Sequence, residues 1–286
     1  RIKADPFAFR AEMRPRTASV VQRLPPGVAI DDARRRANAL DAPISIYEVH
    51  LGSWRRGKTY LELADELVEY VTWQGFTHVE LMPVTEHPFE PSWGYQVTGY
   101  YAPTSRFGSP DDLKYLISEL HKAGIGVIMD WVPAHFPKDE WALARFDGTP
   151  LYEDPNPLRG EHPDWGTLIF NFGRREVRNF LRDSAVMWLE DFRVDGLRFD
   201  GTNYVRSRWG STHRAQDRIA GGHRYLAGVT TDLRSRQPWK LLIAEDMQRD
   251  PLVTAPVEHG GLGFHSQWDA DFVHPVRHAL ETPWDA

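Results

Sequence analysis

The chain has 286 residues, with 34 Lys+Arg against 40 Asp+Glu and a formal net charge of −6, a balance that gives no support for nucleic-acid binding. Its 41% apolar and 26% charged residues are those of a globular protein, and at roughly 150 residues per domain it could hold two domains or one α/β barrel. Zero cysteines exclude disulfides, thiolate metal sites and a Cys nucleophile and fit a reducing cytoplasm, while no run of about 20 apolar residues points to a membrane.

From Arg1 the opening stretch, through Asp5-Pro6, Arg14-Pro15-Arg16 and Leu24-Pro25-Pro26-Gly27, shows no sustained period. Residues 1–43 are read as a linker or the tail of a preceding domain. Within them Arg34-Arg35-Arg36 sits in a short helical piece and is expected to be a solvated face. From Ile44 onward, β-rich apolar runs alternate with helix-period segments, which predicts a parallel sheet. The strands are expected over 44–51, 77–84, 126–132, 196–200 and 240–246, with a weaker sixth at 263–268. The helices between them are expected over 60–74, from an N-cap at Ser109 to Gly124, and over 176–192 and 223–235, with a last one over 272–280. In the first of these, Leu61, Leu63, Leu67, Val68 and Val71 are the apolar positions. Residues 85–108 and the stretch up to about Arg174 are long loops.

Six β/α units in order predict an α/β fold, a (β/α)8 barrel of TIM type that is incomplete over 44–286. A doubly wound sheet would normally carry a Gly-rich phosphate turn after its first strand. Gly52-Ser53-Trp54-Arg55-Arg56-Gly57 lacks that pattern.

The polar residues that call for explanation stand at the C-terminal ends of predicted strands: Asp130 and His135, Arg198 and Asp200, and Glu245. In a barrel those ends share one mouth. Two carboxylates on neighbouring strands are what retaining glycosidic cleavage needs, one to attack the anomeric carbon and one to protonate the departing oxygen. Arg198 and Asp200 are two residues apart, so their side chains share a side and the guanidinium can orient an ionised Asp200 as nucleophile. Glu245, one strand over and facing an anionic neighbour, suits the general acid. A structural ion pair at the rim is the competing explanation for Arg198 and Asp200.

These stretches resemble a known family. Asp130-Trp131-Val132-Pro133-Ala134-His135, Gly196-Leu197-Arg198-Phe199-Asp200 and Ile243-Ala244-Glu245-Asp246 look like the first three signature regions of the α-amylase superfamily of glycoside hydrolases and transglycosylases. Tyr47 to Trp54, Glu80 to Phe89, Ser92-Trp93-Gly94-Tyr95-Gln96 and Phe170-Asn171-Phe172-Gly173 are similar to bacterial 1,4-α-glucan (glycogen) branching enzymes. The resemblance implies a covalent glycosyl-enzyme on Asp200, acid/base work by Glu245 and orientation of the nucleophile by Arg198. It also implies that Asp130 and His135 hydrogen-bond the sugar at the cleavage subsite and that Tyr95 stacks on it, with an α-1,4-glucan (glycogen, amylose or malto-oligosaccharide) as substrate and a cytoplasmic setting.

By the same resemblance, Asp5-Pro6-Phe7-Ala8-Phe9 follows an N-terminal carbohydrate-binding β-sandwich, and a His-Asp pair of a fourth region would lie past Ala286, so the chain reads as truncated at both ends. The text after Asp200, Gly201-Thr202-Asn203-Tyr204, stands where typical branching enzymes have Ala-Val-Ala. Phe264-His265-Ser266-Gln267-Trp268 partly resembles malto-oligosyltrehalose trehalohydrolases. Hydrolysis of the trehalohydrolase or amylase type is therefore one alternative. An inactive glucan-binding fragment is another, since six strands leave two open edges.

Of the 11 Trp, Trp93, Trp131 and Trp268 are expected near the mouth as sugar platforms, and Trp73 and Trp188 in the core. His213, His223, His259 and His265 lack metal-ligand spacing and are read as loop or partly buried residues. Asp154, Asn156 and Asp164 are assigned turn and cap duties rather than calcium. No metal or cofactor is expected, and no G-x-S-x-G elbow suggests an esterase.

Overall fold

The computed structural model describes residues 2–24, 26, 27, 29–212 and 214–283; Arg1, Pro25, His213 and Ala286, singled out in the sequence, fall outside them. Helix α1 (Asp32–Ala37), capped by the Asp31 side chain, precedes the sheet. Then follow β1 (Ile46–Val49), α2 (Tyr60–Gln74), β2 (His78–Leu81), α3 (Pro110–Lys122), β3 (Gly126–Trp131), α4 (Arg175–Glu190), β4 (Gly196–Phe199), α5 (Gly222–Arg236), β5 (Leu241–Ala244), β6 (Ser266–Gln267) and α6 (Ala270–Glu281). The six strands pair in chain order, every pair parallel, with β1 and β6 at the two edges. This is an open portion of a (β/α)8-type barrel, as the alternation of strand and helix periods predicts.

Local chemistry sets the helices. Thr59 and Glu62 form a reciprocal capping box at the start of α2, and Gly75 ends the helix at φ 79°, a left-handed turn that suits glycine. Ser109 and Asp112 repeat the capping box on α3, with Pro110 in its first turn. The buried face of α2 comprises Tyr60, Leu63, Ala64, Leu67 and Val71. Leu61, expected on that face, is 45% exposed, and Tyr60 takes its place with its hydroxyl donating to the Thr104 carbonyl.

The period of two sorts the sheet into a helix side and an inner side. Val79, Leu81, Val127, Met129, Trp131, Leu197, Phe199, Leu242 and Ala244 join the main core beneath the helices. Ile128, Leu241 and Ile243 form a smaller inner cluster with Ile46 and Trp268. The register aligns Glu48, Glu80, Ile128, Gly196 and Leu241 as one inner layer, and Asp130, Arg198, Ile243 and Ser266 as the next layer toward the C-terminal ends.

Several sequence expectations are corrected. Trp131 is fully buried with its Nε1 donating to Ser184 Oγ, so it is no sugar platform. Trp73 is 76% exposed, whereas Trp188 is in the core as expected. Arg34 does not lie on a solvated face: it is buried, its Nε 3.1 Å from Asp195 Oδ1 and its Nη1 donating to the Gly124 carbonyl. Asp195 also accepts from the Val127 amide and pairs with His121 at 2.6 Å. Burial alone would raise the Asp195 pKa, but the bonds and charges of His121 and Arg34 and the Val127 amide hold it below the usual range. The long loops also carry structure: Thr85–Glu86 pairs with Gly99–Pro103, and His135–Phe136, Thr167–Ile169 and Glu161–His162 form a three-stranded antiparallel sheet. Asp154 pairs with Arg159 and Asn156 caps a helical turn. His223 and His265 bond backbone groups. Among the described residues no helix is long and apolar enough to cross a membrane.

Candidate active site

Asp130 and Arg198 are direct register partners on β3 and β4, so their inward side chains meet. Arg198 Nη1 donates to both Asp130 oxygens at 2.9 Å and to Asp200 Oδ1 at 2.8 Å. Arg198 Nη2 stands 3.4 Å from Glu245 Oε2. Strand β4 pairs Phe199 with Ala244 of β5, and the register carried one residue further sets Asp200 opposite Glu245. One guanidinium therefore touches three carboxylates from the ends of three consecutive strands. It is 3% exposed, and all three carboxylates drive its pKa up against the opposing effect of burial.

The second carboxylate is fixed from behind. Gly201 turns at φ 56° and donates its amide to Glu245 Oε2 at 2.7 Å. Thr202 donates its hydroxyl to the Glu245 carbonyl at 2.7 Å, with Asp246 Oδ2 3.3 Å from the same oxygen. Asp246, fully buried, is paired with Arg206 of the Thr202–Arg206 turn. The turn after β4 and the end of β5 are thus tied together, which holds Asp200 and Glu245 in mutual register. Their side chains remain 14% and 28% exposed, open to the mouth.

The cluster carries more negative charge than one Arg can neutralise. Burial, opposed by Arg198 and the Tyr95 hydrogen bond, brings the Asp130 pKa up to about 7. Burial and the adjacent Asp130 likewise push Asp200 well up, with Arg198 pulling it down. Arg198, expected to orient an ionised Asp200, shares its Nη1 between Asp200 and Asp130. The aspartate pair retains a proton more readily than an isolated carboxylate would.

Of the residues expected to bind sugar, Tyr95 donates its hydroxyl to Asp130 Oδ2 at 2.6 Å. Its ring centroid is 6.0 Å from the Arg198 guanidinium. Asp130, expected to hydrogen-bond the sugar, is wholly enclosed, with its oxygens bonded to Arg198 and Tyr95. Trp268 presents its ring to Arg198 at 4.4 Å, a cation–π contact that occupies one side of it. Trp93 does not join the charged cluster: it is 59% exposed on a left-handed turn, its ring 6.4 Å from His50. His135 is 6% exposed and packs against Trp165 at 4.9 Å and His162 at 6.1 Å. Burial, reinforced by His162, lowers its pKa to about 3, so it is a neutral imidazole.

Two features went unread in the sequence. Glu80, beneath the Asp130 layer, is 2% exposed with Oε1 unpartnered; its inward place follows from the period of two on β2. Trp165 and Tyr204 sit 4.2 Å apart at the rim, brought there by segments whose proximity no local pattern reveals.

A family description, alpha amylase catalytic domain, matches residues 63–148. The 1,4-alpha-glucan branching enzyme GlgB of Cutibacterium acnes is 53% identical over 290 residues, covering 98% of this chain and 45% of its own length. The enzyme of the same name from Thermobifida fusca is 52% identical, covering 98% of this chain and 39% of its own length. The chain thus spans less than half the length of these curated relatives. The crystal structure of an alpha-amylase from Geobacillus thermoleovorans complexed with acarbose superposes with a TM-score of 0.61 at 20% identity, covering 82% of this chain and 53% of that one, a likeness of fold. Over this span the chain matches the α-amylase superfamily and is a homologue of bacterial 1,4-alpha-glucan branching enzymes.

Proposed function

We propose that this chain carries the retaining cleavage site of an α-glucan branching enzyme, with α-1,4-glucan as donor and a second glucan as acceptor. The observation that carries the reading is the single Arg198 guanidinium contacting Asp130, Asp200 and Glu245 at three consecutive strand ends. The curated relatives named 1,4-alpha-glucan branching enzyme support the choice of chemistry. The cytoplasm, where a thiol-free glycogen-type enzyme needs no disulfide protection, is the setting this reading carries with it.

In the first step Asp200 attacks the anomeric carbon, the α-1,4 C–O bond breaks, and Glu245 gives its proton to the departing 4-oxygen. Positive charge developing on the sugar ring favours the Asp200 anion at the moment it is needed, offsetting the burial that opposes its ionisation. In the second step a 6-hydroxyl attacks the same carbon, Glu245 takes its proton, and the bond to Asp200 breaks. Two displacements retain the α configuration. Arg198 orients Asp200 throughout, Tyr95 and Asp130 hold Arg198, and His135 offers a neutral ring at the cleavage subsite. Water is the competing acceptor.

The test is to incubate the purified chain with amylose and count α-1,6 branches, by debranching, against new reducing ends. Branches without matching reducing ends are expected. Reducing ends alone would overturn transfer in favour of a trehalohydrolase- or amylase-type hydrolase. Binding of glucan with neither product would favour the inactive-fragment reading.

A further inference from the structure

Trp165 lies in the turn between Glu161–His162 and Thr167–Ile169, and three rings fix it. Tyr204 is 4.2 Å away at 49°, His162 at 5.1 Å and His135 at 4.9 Å. Tyr204 belongs to the turn of helix that begins two residues after Asp200, so its ring is placed relative to the nucleophile. Behind it Gly210, at φ 71°, approaches so closely that a Cβ there would lie 2.7 Å from Tyr204 Cζ. His162 is anchored by its Nδ1, which bonds the Arg208 carbonyl at 3.1 Å. Despite this support Trp165 remains 40% exposed. A large indole held rigidly by three neighbours with much of its surface in water is a preorganised stacking surface rather than core.

We propose that Trp165, seated on Tyr204, is the platform on which a glucosyl unit of the leaving and incoming chain stacks. The inference rests on the functional reading above and deepens it. The turn that carries Tyr204 is tied to Glu245: the Gly201 amide donates to Glu245 Oε2 at 2.7 Å, the Thr202 hydroxyl to its carbonyl at 2.7 Å, and the Tyr204 amide to the Gly201 carbonyl at 2.8 Å. Glu245 protonates the departing oxygen and deprotonates the incoming hydroxyl, so the sugar next to it is that of the leaving or accepting chain. Trp268 and Tyr95, the other aromatic rings of the site, are already engaged with Arg198 and Asp130.

The experiment uses the purified chain with α-maltotriosyl fluoride as donor and maltohexaose as acceptor. Fluoride leaves without a protonated glucan, so the initial burst of its release, before the sugar is discharged from the enzyme, reports attack by Asp200. For Trp165→Ala the acceptor KM is expected to rise about tenfold and product to shift toward hydrolysis, while fluoride release falls far less. Trp165→Phe keeps a flat ring and is expected to recover most of the acceptor affinity. An unchanged acceptor KM, or a parallel loss of fluoride release and transfer in both variants, would overturn the proposal. If the unaltered chain neither releases fluoride nor transfers, the functional reading fails and binding decides the inference. Maltohexaose titrated calorimetrically is then expected to bind Trp165→Ala about tenfold more weakly than Trp165→Phe, and equal affinities would refute the platform.

Discussion

Glu80 offers a perturbation whose size can be worked from the structure. Its carboxyl is 2% exposed in the inner layer beneath Asp130 and Arg198, with Oε1 unpartnered. Burial first, then the Glu48 and Glu245 charges, raise its pKa from 4.5 to about 7 against the pull of Arg198. The unfolded chain releases that proton near 4.5, so between the two values the folded state binds more protons and stability falls as pH rises. The contribution is fully present below about pH 4.5 and lost above about pH 7, a total of about 3 kcal/mol at 1.36 kcal/mol per unit. Glu80→Gln has no such titration. Its stability relative to the unaltered chain is therefore expected to improve by about 2 to 3 kcal/mol between pH 5 and pH 8, even if the buried amide carries a constant cost of about 1–3 kcal/mol. Urea unfolding of both proteins at several pH values reads the difference, with the slope checked for constancy. A difference independent of pH would refute the reasoning.

Removing the Arg206 charge with Arg206→Met strands the fully buried Asp246 and is expected to cost about 3–5 kcal/mol in urea unfolding; Arg206→Met combined with Asp246→Asn should recover part of it. Trp188→Ala is expected to cost about 3–5 kcal/mol and Trp73→Ala less than about 0.5 kcal/mol, which thermal unfolding distinguishes directly. Because burial and Asp130 raise the Asp200 pKa and the nucleophile must be ionised, activity is expected to fall as pH drops through a range well above that of ordinary carboxylates. A kcat/KM profile flat down to pH 4.5 would contradict this.

The barrel was legible because its signals are local. The Thr59 and Glu62 box, the Ser109-Pro110 start and the Gly75 stop each act within a few residues, and alternation along β3 and β4 needs no distant partner. The same alternation, applied fully, places Trp131 on the helix side once Asp130 faces inward, and the helix period puts Trp188 with Leu181, Ser184 and Ala185. Trp73 follows Val71 by two residues and falls on the far side of α2. Those assignments needed the period rather than the residue type. Arg34 could not be read locally, because its partner Asp195 lies far along the chain just before β4. The antiparallel strands His135–Phe136, Glu161–His162 and Thr167–Ile169 are too short to show a period, so the loop carrying Trp165 stayed featureless. At the site, Asp130, Arg198, Asp200 and Glu245 were visible because strand ends expose their polar residues to one mouth. The sharing of Arg198 among all three carboxylates was not, since it depends on register.

The central claim is that Asp200 forms a covalent bond to the cleaved sugar. Treating Glu245→Gln with α-maltotriosyl fluoride separates the two half-reactions, because fluoride departs without an acid whereas release of the sugar requires the base. The account expects a maltotriosyl adduct to accumulate and, after proteolysis and mass spectrometry, to reside on the peptide at Asp200. An adduct on any other carboxylate, or fluoride release at full rate with no adduct and an inverted product, would contradict it.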